Sequence, residues 1–165
     1  MKIHLNIFCL SLLLAASVSF ADAPIQVKKH ISFSAESNAP QKVQDECNLQ
    51  TQVPSYLSAY AKKAVTLVDG DFTAEGKQLK LEITSAFAPG GGAWSGAKSV
   101  EVTGELMENG KVIGSFIGSR YSTGGMFGGL KGTCSITARC AKAIAKDISI
   151  WLKNPTIDAR LGDSN

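Results

Sequence analysis

Histidine is scarce in this chain, which has only two among its 165 residues, His4 and His30. A serine or cysteine nucleophile ordinarily needs a histidine base that a third group orients. Only His30 lies beyond the first 21 residues, and the chain lacks the Gly-x-Ser-x-Gly sequence of a nucleophile elbow. A histidine-dependent hydrolase is therefore a poor interpretation, and we predict no catalytic residue.

Dense runs of lysine and arginine are also missing, and the formal net charge is only +3. Nucleic-acid-binding domains ordinarily carry clustered positive charge. The sequence thus predicts no nucleic-acid partner and no polybasic patch for anionic lipid. Beyond residue 21, no apolar run approaches the about 20 residues that span a bilayer, so we expect no stable membrane span.

Known metal and nucleotide motifs are missing too. His30 and the cysteines lie far apart rather than in the close pairs of a zinc knuckle. A calcium loop that started at Asp69 would have Ala74 at its sixth position, where glycine is needed, and Lys80 at its twelfth, where glutamate is needed. Lys131 lacks the following serine or threonine of a phosphate-binding loop. We predict neither a metal nor another cofactor.

The first 21 residues do contain an apolar run. Lys2 precedes it, residues 7–16 form its core, and Ser19 and Ala21 place small side chains at the −3 and −1 positions of a cleavage site. A membrane anchor is the alternative, but the core is shorter than the about 20 residues of a spanning helix. We predict a signal peptide over residues 1–21, cleaved near Ala21, and a periplasmic or secreted protein.

Export would carry three cysteines into an oxidising compartment, where disulfides persist. These are Cys47, Cys134 and Cys140. In a regular helix Cys134 and Cys140 would stand about 9 Å apart, which is too far for a bridge. We predict a disulfide between Cys47 and one of the other two. The third thiol is then buried, free or paired with another chain.

Hydrophobic periodicity predicts a single α/β domain over residues 22–155. We expect an α+β fold, with an antiparallel sheet of four to five strands and two helices packed on one face. The predicted elements are a strand over 25–33, a loop over 34–46, a helix with Pro54 in its first turn, a short strand over 65–68, a strand over 79–87, a hairpin and a helix over 136–152. We expect residues 156–165 to be a disordered tail.

The dipeptide Asn109-Gly110 is a strong hairpin signal. A two-residue turn there pairs Glu108 with Lys111. In that register Leu106 and Val102 lie opposite Ile113 and Ile117, and these four share a buried face. The other face carries the side chains of Glu101, Thr103, Glu105, Val112, Phe116 and Arg120.

Two glycine-rich segments flank this hairpin and suggest a contact surface, since loops on a rigid sheet often carry function. We predict binding residues at Trp94, Phe116 and Arg120 and in the loop 124–131. Trp94 could equally cap the core, and the loop could be a flexible connection. An anion or lipid headgroup could contact Arg120, Lys131 and Arg139 near the start of the last helix.

Four segments in order, GGGAWSGAKS, VEVTGELMENGKVIGSF, SRYSTGGMFGG and DISIWLKNP, resemble a family of uncharacterised bacterial envelope domains. That family combines a glycine-rich turn, a hairpin, a glycine-rich loop and a C-terminal helix. The resemblance covers about the last half of the domain. It implies a small α/β sandwich like those of periplasmic assembly and secretion factors, and it supplies no catalytic residue.

The leading functional hypothesis is a non-enzymatic envelope protein that binds another envelope protein or an anionic envelope component. A second hypothesis is an inhibitor or immunity protein for an envelope-acting enzyme. A third is a hydrolase that uses a carboxylate pair such as Glu101 and Glu105, which lie on one strand face.

Processing of the N-terminus is the first testable prediction. We expect the protein in its native host to lack residues 1–21 and to begin near Asp22, because Ser19 and Ala21 fit signal peptidase. N-terminal sequencing and intact mass of the periplasmic or secreted fraction would measure this. An uncut chain in the cytosol with all its thiols reduced would contradict it.

Overall fold

The computed structural model describes residues 23–73, 76–89, 96–123 and 131–164. The predicted signal peptide, Trp94 and most of the loop 124–131 lie outside these residues. The described chain forms a seven-stranded sheet and three α-helices. The strands are β1 (Ile25–Lys28), β2 (Ser32–Phe33), β3 (Val65–Val68), β4 (Lys77–Ser85), β5 (Lys98–Glu108), β6 (Lys111–Ser122) and β7 (Ala159–Gly162). The helices are α1 (Gln41–Glu46), α2 (Leu49–Ala61) and α3 (Thr133–Trp151).

The sheet is larger than predicted and partly parallel. Its order is β3-β1-β4-β5-β6-β7, with β2 paired beside β4. Strands β4, β5 and β6 are antiparallel, whereas β1 runs parallel to both β3 and β4, and β7 runs parallel to β6. The parallel pair β1 and β3 arises because α2 lies between them in sequence and serves as a crossover connection. The expectation of an antiparallel sheet of four to five strands is therefore wrong.

The predicted first strand is broken at Lys29 and His30, and His30 is an exposed residue of the break. The backbone there pairs elsewhere, since the N–H of Lys29 donates to the carbonyl of Val68 at 2.9 Å. Gln26 is buried although alternation places it outward. Its side-chain amide donates to Oγ1 of Thr73 at 2.6 Å and accepts the Thr73 N–H at 2.9 Å, which satisfies the buried polar group.

Helix α2 starts five residues before Pro54, so the proline lies inside the helix rather than in its first turn. Pro54 has no N–H to donate to the carbonyl of Gln50. The N–H of Ile31 donates to that carbonyl instead, at 3.0 Å. Because Pro54 lacks an N–H, the carbonyl of Gln50 can accept this hydrogen bond, which holds the connection between β1 and β2. The predicted loop 34–46 is also corrected, because it ends in α1, whose Val43 is buried.

A β-bulge changes the face of β6 that enters the core. The turn pairs Glu108 with Lys111 as predicted, but Met107 lies opposite Val112 and Leu106 lies opposite Gly114. Ile113 is the extra residue, and every side chain beyond it reverses direction relative to the prediction. Ile113 and Ile117 are exposed, and the expectation that both are buried is wrong.

The bulge places Phe116 in the core, where it is 2% exposed. Its ring packs edge-on against Trp151, with 4.9 Å between ring centroids. Its partner across the sheet is Gly104, and a Cβ there would overlap the phenyl ring. The Phe116 ring therefore occupies the space that a side chain at position 104 would need.

Helix α3 covers the same face of the sheet. The predicted stripe is confirmed for Ile136, Cys140, Ile144 and Ile148, each no more than 1% exposed, whereas Leu152 is only half-buried. Two small residues between these positions, Ala141 and Ala145, are fully buried. Their size permits close approach of the elements that pack against α3, which include α2, β5 and β6.

A disulfide joins Cys47, just after α1, to Cys134 in the first turn of α3. The prediction that Cys47 is bridged to one of the two later cysteines is confirmed. Cys140 is a free, buried thiol. The bridge spans 87 residues of sequence and links the first helix to the last.

We predict that the double substitution Cys47→Ser and Cys134→Ser lowers the free energy of unfolding by about 4 kcal/mol, because the open chain gains the entropy of a long loop. Denaturant unfolding followed by circular dichroism measures this. Cys140→Ala keeps the bridge and is the matched control, with an expected loss of about 1 kcal/mol. Equal unfolding midpoints for the double variant and the parent would contradict the prediction.

Candidate functional site

Arg120 joins three elements through two carboxylates. Its Nε and Nη2 donate to the two oxygens of Asp147 on α3, at 2.7 and 3.1 Å, and its Nη1 donates to Asp163 at 3.1 Å. Asp163 also accepts the N–H of Tyr121 at 3.1 Å. The hydrogen bond from Arg120 to Asp147 is the main cause that raises the pKa of the guanidinium above its ordinary value. Arg120 thus clamps β6, α3 and the segment after β7 together.

This clamp bears on two sequence-based expectations. Residues 156–165 are not a disordered tail over their described part, because β7 pairs with β6 and Asp163 binds Arg120. The donors of Arg120 already face two carboxylates, and its role in binding stays a prediction. A bidentate arginine–carboxylate pair of this kind is a strong and geometrically specific contact.

The structure describes only some of the other predicted binding residues. Phe116 lies in the core and Trp94 lies outside the described residues. Lys131 is half-buried just before α3, and Arg139 is exposed on α3. Roles for Trp94, Lys131 and Arg139 therefore stay predictions.

One face of the sheet carries no helix from the described ranges. Along β4 the side chains alternate, with Leu79, Leu81 and Ile83 buried toward the helices, and with Lys80 and Glu82 exposed on the other side. This outward side, which we call the open face, continues through alternate residues of the neighbouring strands. It is the face that sequence reasoning assigned to Glu101, Thr103 and Glu105, and that assignment is confirmed.

A groove of about 750 Å³ crosses the open face. It runs from Ser32 on β2, across β4, β5 and β6, to residues 158–160 at β7. With strands about 4.8 Å apart, its length is about 19 Å. The side chains that line it on the open face are Lys80, Glu82, Thr103, Glu105, Ser115, Ile117, Asp158 and Arg160.

Charges of both signs lie along this groove. Lys80 is directly opposite Glu105, and Arg160 is directly opposite Ile117, which is 36% exposed. At the β7 end, Oγ of Ser115 accepts the N–H of Asp158 at 2.8 Å and donates to its carboxylate at 3.2 Å. The hydrogen bonds fix that end of the groove, while its charged side chains remain exposed.

The carboxylate pair of the hydrolase hypothesis lies on this face but is not a close pair. Glu101 and Glu105 are four residues apart on one strand, so their Cα atoms are about 13 Å apart. Glu101 accepts a hydrogen bond from Oγ1 of Thr84 at 2.7 Å. Acid and base carboxyls of glycosidases are about 5 to 9.5 Å apart. The geometry therefore gives no support to joint acid–base chemistry by these two residues.

Two other reactive groups are buried in the structure. Lys98 is fully buried and its Nζ donates to the carbonyl of Pro89 at 3.1 Å. The thiol of Cys140 donates to the backbone carbonyl of Lys98 at 3.4 Å. Burial raises the pKa of the Cys140 thiol to about 11, so it is protonated at neutral pH and a poor nucleophile.

Within residues 23–73, 76–89, 96–123 and 131–164, no group of three or more metal-binding side chains comes together. The disulfide also removes Cys47 and Cys134 from the set of thiol ligands that a zinc site would use. None of the helices in these ranges is long and apolar enough to cross a membrane.

Comparison with known proteins gives a similarity of fold. No family model matches the chain, and no curated protein matches it. An uncharacterised protein of known structure is 12% identical, with a TM-score of 0.50 over 79% of this chain and 90% of that one. This similarity shows a shared fold alone.

Two further solved structures have lower TM-scores. PelC from Paraburkholderia phytofirmans, described as a dodecamer, is 14% identical with a TM-score of 0.46, over 76% of this chain and 87% of that one. A minor lipoprotein from Acinetobacter baumannii is 15% identical with a TM-score of 0.44, over 82% and 96%.

We predict that Arg120→Ala lowers the free energy of unfolding by about 2 kcal/mol, a value between exposed and buried ion pairs, because it leaves half-buried Asp147 unpaired. Arg160→Ala is the matched control, since Arg160 is an exposed arginine of β7, and we expect a change of no more than about 0.5 kcal/mol. Thermal and denaturant unfolding measure both. Equal losses for the two variants would show that the clamp contributes nothing specific.

Proposed function

We propose that this chain is an exported, non-enzymatic envelope protein that binds another envelope protein through the open face of its sheet. The observation that carries the proposal is the groove itself. It lies on a rigid sheet, it is bounded at one end by the clamped β7, and it combines exposed charges with an exposed isoleucine. A groove that carries charges of both signs can select a partner of complementary charge.

The shape and charge of the groove define the partner. An extended polypeptide of about six residues spans 19 Å, because a strand rises about 3.3 Å per residue. Three carboxylates, Glu82, Glu105 and Asp158, face two cations, Lys80 and Arg160. The partner segment is therefore extended, carries both charge signs and has more basic than acidic side chains.

Two observations support export. Residues 1–21 have the order of regions of a signal peptide. The Cys47–Cys134 disulfide fits an oxidising compartment, since cytosolic thiols are ordinarily kept reduced. The inhibitor or immunity hypothesis shares both features and differs only in its partner, so it stays an open prediction.

Site-specific photocrosslinking in living cells tests the groove. With a photoreactive amino acid at Ile117, we expect an adduct of one discrete mass, because this side chain lies in the groove. The same amino acid at Ser55, an exposed residue of α2, is the matched control and should give none.

A charge reversal then tests the groove's chemistry. Glu82→Lys combined with Glu105→Lys should reduce the Ile117 adduct at least about tenfold, since repulsion replaces attraction for a basic segment. Both glutamates are exposed, so the variant should stay folded, with a loss of no more than about 1 kcal/mol because a lysine at position 105 lies directly opposite Lys80. Adducts of equal yield with and without the reversal, or no adduct at Ile117, would refute the proposed partner.

A further inference from the structure

The outward face of α3 carries a line of basic side chains. Arg139, Lys142 and Lys146 lie along the helix, and Lys153 follows in the turn after it; all four are exposed. At about 100° per residue these positions fall within an arc of about 80°. The line is about 21 Å long at 1.5 Å per residue. We call Lys142, Lys146 and Lys153, with Ile150, the basic stripe.

The positive charge of the stripe is not neutralised within its own layer. Asp147 is the only carboxylate of α3, and both of its oxygens accept hydrogen bonds from Arg120. Helix α2, which packs beside α3, contains no charged residue. Lys142, Lys146 and Lys153 have no ion-pair partner in the described part of the chain. Helix α1 also packs against α3 and carries Asp45 and Glu46, but no ion pair joins either carboxylate to these lysines within the described ranges. Helix α3 therefore presents a band of positive charge.

An apolar side chain interrupts this band. Ile150 is 54% exposed and lies between Lys146 and Lys153 on the same arc. A polyanion in solution gains little from an exposed isoleucine. A membrane surface binds both groups, because headgroups attract the cations and the acyl boundary accepts the apolar side chain.

We propose that the basic stripe of α3 docks this protein on a lipid surface rich in anionic headgroups. The stripe lies on the outer side of the helical layer, and the groove lies on the opposite face of the sheet. A domain bound to lipid through α3 thus leaves the groove accessible to its partner. The lipid contact does not depend on the groove, and each can fail without the other.

Vesicle sedimentation tests the lipid contact directly. The parent should bind vesicles of 30% phosphatidylglycerol in phosphatidylcholine and should not bind vesicles of phosphatidylcholine alone. Each cation near an anionic surface contributes about a fivefold change in the partition coefficient, so Lys142→Ser, Lys146→Ser and Lys153→Ser together should lower it about 100-fold. Binding should also weaken steeply between 0.1 and 0.5 M salt.

The matched control removes three cations elsewhere, through Lys29→Ser, Lys63→Ser and Lys111→Ser. All three residues are exposed and lie outside both α3 and the groove, so this variant should bind anionic vesicles within about threefold of the parent. Every variant keeps the N-terminus of the parent, so residues 1–22 contribute equally. Equal losses for the two triple variants, or no binding by the parent, would overturn the proposal.

Ile150 separates a lipid surface from a soluble polyanion. Ile150→Ser should weaken vesicle binding about tenfold, because the side chain no longer enters the acyl boundary. A polarity-sensitive dye on Ile150→Cys should shift to the blue with anionic vesicles and stay unchanged with heparin, whereas a dye on Val112→Cys at the hairpin should respond to neither. An unchanged affinity for Ile150→Ser together with equal binding to heparin would assign the stripe to polyanions and overturn the lipid proposal.

Discussion

The ion pairs of Arg120 determine how the C-terminal half of this protein is arranged. One guanidinium connects the central hairpin, the long helix and the segment after the last strand. The ion pair of Asp163 with Arg120 adds to the four-residue parallel ladder between β7 and β6 and to the hydrogen bonds between Ser115 and Asp158. Because β7 contributes one wall of the groove, the shape of the open face depends on a contact made on the helical side of the sheet.

The same ion pairs determine the charge of the helical layer. Asp147 lies about one quarter-turn from the basic stripe, and it would partly neutralise the lysines if it were exposed. Arg120 engages both of its oxygens, so the net charge of α3 toward solvent is set by its cations. A chain of small overall charge can thus present a basic face, provided that its carboxylates are satisfied internally.

Sequence pattern predicted those features of the fold whose physical cause lies within one element or one turn. The alternation in β4 and β5, the Asn109-Gly110 turn and the four-residue spacing of α3 each reflect contacts within one element or across one turn, and they were predicted. The β-bulge at Ile113 was not predicted, because the alternation of apolar and polar residues does not reveal one inserted residue. Gly104 and Gly114 agree with the bulged register, since each lies where an aromatic ring needs space. β7 and the parallel pairing of β1 depend on distant partners. Arg120 was singled out from the sequence, but its partners Asp147 and Asp163 were not, because they are distant from it in the chain. Lys142, Lys146 and Lys153 recur at helical spacing, but their exposure depends on how α3 packs on the sheet.

The bulge and the one-sided helical layer have a joint consequence for the open face. If β6 had kept the unbulged register, Phe116 and Arg120 would point outward and Ile113 and Ile117 inward, so the core would lose the ring that packs on Trp151. The extra residue therefore exchanges two branched aliphatic side chains in the core for one aromatic ring and one clamped arginine. It leaves Ile117 as an apolar contact among the charges of the groove. Core packing and the chemistry of the recognition surface are in this way set by a single unpaired residue.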